Sequence, residues 1–237
     1  MNYKPLIIVL GEPRSVFIEI LLKAFKKIKV YSIKRPIILI GSTDLLKKQM
    51  VFFKTFIKIK NIHFSEIHKV NDNKFINIID VKLNVNSPFQ KNIIGSNKYI
   101  EKSFDLAMKI LQNNQACGLI NGPISKTKFL KGKFLGITEY LTTKSKSKNS
   151  CMLIYNKNLS VSPITTHVPI KEVAKKINKK LIVNKILLIE NFYKKYLKKP
   201  KIAVLGLNPH CETVNKISEE KNFIIPAINK LKSKGIN

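Results

Sequence analysis

Arginine is nearly absent from this chain. Of 44 basic residues only Arg14 and Arg35 are arginines, and just 14 residues are acidic. The scarcity matters because the formal net charge is +30, a value that suggests binding to a polyanion. Arginine reads phosphates and base edges bidentately, and lysine does not replace it in that role. The lysines are scattered rather than gathered into an arm. Lys, Asn and Ile all have A/T-rich codons, so a biased genome accounts for their shared abundance, and the charge reads as a solvated surface. Specific nucleic-acid binding is not expected. Cysteine is also scarce: Cys117, Cys151 and Cys211 form no Cys-x-x-Cys pair and leave an odd thiol, which fits a reducing compartment. Cys117 and Cys151 lie in apolar, strand-like surroundings and are expected to fill core. No apolar run approaches the ~18 residues of a membrane span, and residues 1–10 are too short for a signal peptide. No membrane partner is expected, and the cytoplasm is the expected location. Internal repeats, linkers and a Gly-x-Gly-x-x-Gly fingerprint are all missing.

What is present is a globular pattern. A chain of 237 residues, 44% of them hydrophobic, fits one large domain or two small ones. Strand and helix periods alternate along it. Residues 6–10 read as a buried strand, running through Gly11-Glu12-Pro13-Arg14-Ser15 into a helix with Phe17, Leu21, Ala24, Phe25 and Ile28 on its apolar face. Residues 37–40 form the next strand, and Gly41-Ser42-Thr43-Asp44 reads as a turn and helix cap. The stretch 51–74 is ambiguous, and its His63 and His68 are taken as ordinary histidines. Residues 75–80 are a strand, and Ser96 opens a helix carrying Ile100, Phe104, Ala107, Met108 and Leu111. Residues 117–120 are a strand that breaks at Asn121-Gly122-Pro123. Residues 152–155 and 159–163 are expected to pair as a hairpin, and 171–197 to hold two helices. Residues 202–207 are a strand, and 218–232 a last helix with Ser218 cap-like and Glu219 and Glu220 in its first turn. A glycine past a helix normally turns the chain into another strand. None follows Gly235, so a fragment or a truncated protein is expected.

Two corners carry the chemistry. Thr165-Thr166-His167-Val168-Pro169 follows one apolar run, and Pro169 biases Val168 away from helix. Gly206-Leu207-Asn208-Pro209-His210 follows another. Open α/β sheets place their chemistry at strand carboxyl ends, and two histidines in like contexts suggest one shared site. Each could instead bond a backbone carbonyl at its corner. Cys211 beside His210 is left out, because neighbours in sequence usually point apart.

These corners, with Asn121-Gly122-Pro123-Ile124-Ser125-Lys126, Gly136-Ile137-Thr138-Glu139-Tyr140, the opening Gly11-Glu12-Pro13 and the acidic Ser218-Glu219-Glu220, stand in the order of a known family. Over its whole length the chain resembles the 4-hydroxythreonine-4-phosphate dehydrogenases of pyridoxal phosphate biosynthesis. The resemblance implies an α/β fold of the isocitrate/isopropylmalate dehydrogenase type, with two α/β/α subdomains and a cleft between them. Their division is placed at 1–130 and 131–237, the first subdomain being incomplete without a C-terminal part. It also implies a homodimer, NAD or NADP, a small phosphorylated substrate, and a divalent metal (Zn, Mg or Co) on three histidines drawn from both protomers. His167 and His210 match two of those ligands, and the third falls in a downstream Tyr-His-Asp-Gln-Gly segment. Thr138 matches a substrate contact, unless it caps its own helix, and Lys126 matches a lysine given a supporting catalytic role. The family does without the glycine fingerprint.

The implied chemistry suits these residue types. A cation on neutral imidazoles lowers the pKa of a secondary alcohol and stabilises the alkoxide as hydride leaves. The β-keto acid formed would then lose CO₂. Three departures stand out. Ile137 replaces a usual histidine, so a polar substrate contact is lost. Arg14-Ser15-Val16 replaces small residues and glycines, so the backbone there approaches a ligand less closely. The downstream ligand segment is missing. A sister dehydrogenase acting on a four-carbon sugar-acid phosphate, and a non-catalytic remnant or polyanion binder, are the alternative readings.

Overall fold

The apolar run after Pro5 becomes β1 (Leu6–Val9) of a parallel sheet in the computed structural model, which describes residues 3–27, 30–147, 149–196, 199–208, 210–211 and 218–236. Ile28 and Pro209, named above, lie outside the described residues. β1 pairs with β2 (Ile37–Gly41) on one side and β5 (Gly118–Asn121) on the other. Beyond β2 come β4 (Ile76–Asp80) and β3 (Ile59–Asn61), giving the order β3-β4-β2-β1-β5 with every pair parallel. Ile7, Val9, Ile38, Leu39, Ile40, Ile76 and Ile78 are fully buried. Such unbroken apolar runs are what a parallel sheet covered on both faces requires.

Helices α1 (Phe17–Lys27), α2 (Thr43–Phe52) and α3 (Ser96–Gln112) connect these strands. The expected cap is present: the Ser42 hydroxyl accepts from the Leu45 amide at 3.2 Å, while Asp80 at the end of β4 accepts from the Thr43 amide at 2.8 Å. α3 buries Ile100, Phe104, Ala107 and Met108 as its period predicts, with Tyr99, Ser103 and Ile110 beside them. The ambiguous stretch resolves into β3 and a 3-10 turn, Phe64–Lys69, capped by His63 and Glu66. Cys117 is exposed rather than core, because it precedes the first residue of the edge strand β5.

The chain forms two compact units, Met1–Ser145 and Lys146–Asn237. The boundary lies beyond the expected 130/131, because α4 (Ile137–Lys144) packs with the first unit. The cause is Tyr140, which is buried edge-on against Phe104, Phe129 and Phe134 with ring centroids 5.5, 5.3 and 5.4 Å away. Lys144 adds ion pairs to Glu101 and Asp105 of α3 at 3.2 and 2.7 Å. Burial pushes the Tyr140 phenol up from 10.0 to about 12, with Lys144 beside it pulling the other way. A phenol raised in the folded state binds its proton more tightly than in the unfolded chain. Its contribution is therefore intact below pH 10.0 and is lost as pH rises toward about 12. Thermal melts of the first unit are expected to fall across that window, and less steeply in Tyr140→Phe. Parallel pH profiles for the two proteins would contradict this.

The second unit packs α5 (Ile170–Lys176), α6 (Lys179–Tyr196) and α7 (Ile225–Lys232) around Ile182, Val183, Ile186, Ala227 and Leu231. One turn of π-helix, Glu220–Ile224, leads into α7, and Ser218 Oγ accepts from the Lys221 amide at 3.2 Å. The expected hairpin shrinks to a single antiparallel bridge between Ile154 and Val161, with N–H···O distances of 2.8 and 3.0 Å. Residues 202–207 form no ladder among the described residues. Ile202 and Val204 pack on the core while Leu205 and Leu207 face solvent, which is the period of a strand. A strand needs a neighbour, and no described segment supplies one. Among the described residues no helix is long and apolar enough to cross a membrane.

Candidate functional site

From β1 the chain goes to β2, then to the edge strand β3, comes back to β4 between them, and crosses over the sheet to place β5 on the opposite side of β1. Such a reversal leaves a crevice at the strand carboxyl ends, the usual ligand position in open α/β sheets. Gly11-Glu12-Pro13 and Asn121-Gly122-Pro123 meet there. The Gly122 amide donates to the Val9 carbonyl at 2.7 Å, and the Glu12 amide to the Pro123 carbonyl at 2.8 Å. A Cβ on Gly11 would lie 2.5 Å from the Pro123 carbonyl oxygen, and one on Gly122 would strike that of Leu10. Gly11 also has φ +73°. Two motifs known only by their order in the sequence thus form one glycine joint, too close for any side chain.

The joint sets out the neighbouring residues. Ser125 caps the following π-helical turn, Lys126–Leu130, by accepting from the Lys128 amide at 3.1 Å, and Lys126 is exposed at its start. Ile137 and Thr138 begin α4. The N-cap is Gly136, so Thr138 is not the cap, and its carbonyl accepts from Thr142 Oγ1 at 2.8 Å. Ile137 packs against the core, so an apolar residue suits its position.

His167 and His210 both belong to the second unit, and both are exposed. His167 has φ +55°, a left-handed backbone that is uncommon outside glycine and tends to persist at functional positions. The His210 corner is held by side chains. Asn208 Oδ1 accepts from the His210 amide at 3.1 Å, and Glu220 Oε1 accepts from the Leu207 and Asn208 amides, each at 3.0 Å. The Asn208 amide is foremost in keeping the Glu220 carboxyl below the usual carboxylate range. In the sequence Glu220 is a charge at a helix start; in the fold it ties that helix to the histidine corner. Glu220→Ala is expected to speed amide exchange at Leu207 and Asn208 while leaving the amides of β2 unchanged. Equal protection in both proteins would remove this role.

In donor chemistry the two imidazoles fit a borderline divalent cation. In number they are short of a complete site: among the described residues no three His, Cys, Asp or Glu side chains gather to hold a metal.

A family model described as pyridoxal phosphate biosynthetic protein PdxA matches residues 32–237. This chain belongs to that family. A 4-hydroxythreonine-4-phosphate dehydrogenase from Sulfurihydrogenibium sp. is 35% identical over 98% of this chain and 71% of its own length. A Clostridium botulinum relative named for D-threonate 4-phosphate dehydrogenase is 27% identical over 99% of this chain and 72% of its own. The crystal structure of a 4-hydroxythreonine-4-phosphate dehydrogenase from Burkholderia phymatum superposes with a TM-score of 0.82 at 25% identity, covering 99% of this chain and 73% of that one. The family is one of oxidoreductases, and membership implies a nicotinamide dinucleotide and a divalent metal in general terms.

Proposed function

We propose that the protein oxidises the secondary alcohol of 4-phosphohydroxythreonine with NAD or NADP in vitamin B6 biosynthesis. The β-keto acid so formed decarboxylates to 3-amino-2-oxopropyl phosphate. The observation that carries this reading is the 35% identity to a dehydrogenase of that name over 98% of the chain. In the oxidation the hydroxyl loses its proton while its carbon gives a hydride to nicotinamide. His167 and His210 would hold the divalent cation (Zn, Mg or Co), which when bound lowers the alcohol's pKa and stabilises the developing alkoxide. Thr138 would contact the substrate, and Lys126 would place a positive charge beside it. We propose that the working form is a homodimer in the cytoplasm, with metal ligands drawn from both protomers.

A second reading, oxidation of a four-carbon sugar-acid phosphate, draws on the Clostridium relative and on Ile137, whose side chain offers no hydrogen bond. The test is turnover of 4-phosphohydroxythreonine and of D-threonate 4-phosphate with NAD and with NADP, following nicotinamide reduction. The proposal expects kcat/KM at least about tenfold higher for the amino acid, a gap of ~1.4 kcal/mol in transition-state binding. The reverse preference would establish the second reading. Turnover of neither, with Zn, Mg or Co supplied, would leave the remnant.

A further inference from the structure

The crevice beside the glycine joint opens into a cavity of about 390 Å³, within the range of small-ligand sites. Its lining carries Arg14, Lys91 and Lys128 against the single carboxylate of Glu12, with Ser96 and Ser125 between them. Arg14 is one of only two arginines in the chain. It stands where the resembling family usually has a small residue, and its Nη1 donates to the Lys91 carbonyl at 3.0 Å. That bond anchors one end of the guanidinium, and among the described residues no other hydrogen bond takes its remaining N–H groups. Ser125 Oγ accepts from the Lys128 amide and lies 3.3 Å from Thr127 Oγ1, so one hydroxyl of that pair can turn its proton to a ligand. α3 begins at Ser96 with no side chain capping it, which leaves partial positive charge at the same wall.

We infer that this cavity binds a phosphate monoester, held by the Arg14 fork, Lys91 and Lys128. Either of two sources could carry the group: the 2′-phosphate of NADP or the phosphate of the substrate. The proposal refines the substrate and cofactor class of the proposed function. Phosphate binding itself requires neither the metal nor turnover, so the two readings fail separately.

The test is calorimetric titration of the whole protein at about 0.15 M salt, where long-range attraction is screened. The titrants are inorganic phosphate, NAD, NADP and 4-phosphohydroxythreonine. Arg14→Ala and Lys128→Ala are each expected to weaken phosphate binding about tenfold, as the loss of a charge-assisted contact should. Lys102→Ala, which removes the same charge from an exposed position outside the cavity lining, is expected to change it less than about twofold. An Arg14-dependent preference for NADP over NAD assigns the group to the cofactor. An Arg14-dependent affinity for the phosphorylated amino acid assigns it to the substrate. Absence of phosphate binding, or equal weakening in all three variants, overturns the inference by leaving only the general positive field.

Discussion

Gly11→Ala is expected to unfold the first unit under conditions where the second unit survives. Two costs add at this position. The new Cβ meets the Pro123 carbonyl oxygen at 2.5 Å, and such overpacking costs about 1–3 kcal/mol. The residue also sits at φ +73°, which adds roughly 1–2 kcal/mol for any L-residue. The sum, about 2–5 kcal/mol, is a large part of the ~5–15 kcal/mol that holds a typical domain together. Gly95→Ala separates the two terms: Gly95 has φ +81° but nothing within 4 Å of a Cβ, so only the backbone cost remains. Urea unfolding followed by a probe in each unit measures this, since two units need not unfold together. Equal midpoints for Gly11→Ala and Gly95→Ala would show that the joint can relax.

Metal binding should vanish on replacing either His167 or His210, if the two rings share one ion. A single imidazole competes poorly with water for a divalent cation. With both present, binding is expected to be weak, because two protein ligands fall short of the usual three. It should weaken further on acidification, because a protonated ring has no lone pair to give. The left-handed backbone at His167 adds a signature that stability alone would not show. His167→Gly relieves roughly 1–2 kcal/mol of left-handed strain at φ +55°, set against about 0.4–1 kcal/mol of added unfolded-chain entropy, and is expected to stabilise the second unit by about 0.5–1 kcal/mol while losing the metal. His167→Ala should lose the metal without that gain. Zinc titration and thermal melts of wild type, His167→Ala, His167→Gly and His210→Ala check both. Equal zinc affinity across all four would show that the corners do not form one site.

The parts of the fold that follow from local rules were legible in the sequence. β1 and β2 announce themselves as unbroken apolar runs, β4 as an isoleucine-rich segment interrupted by Asn77, α3 by its 3.6-residue stripe, and α2 by the serine before it. What required the fold was non-local. β3 has three residues and is paired through its ladder to β4. The stripe of α4 does not say which core it faces, so the division of the chain was drawn short of Tyr140. Residues 202–207 have a strand's alternation, but alternation describes faces and says nothing of a neighbour's edge. The site divides in the same way. The histidine corners and both glycine motifs could be named from sequence. That Gly11 touches Pro123 could not, because it joins segments far apart in the chain, nor could the hold of Glu220 on the His210 corner, because a charge at a helix start does not say which amides it will meet.

The position of β1 also governs how this protein can be made. Of the five strands of this sheet β1 is made first, yet it is an interior strand whose second neighbour, β5, begins at Gly118. Until that point has been synthesised, Ile7, Ile8 and Val9 have a partner on one side only. A nascent chain therefore carries an apolar, half-paired edge through almost the whole translation of its first unit. Pairings so distant in sequence close slowly, and unpaired edges invite aggregation. Folding during synthesis should thus be more prone to aggregation than refolding of the complete chain, where β5 is available at once, and a chaperone that shields extended apolar segments should help most before β5 emerges.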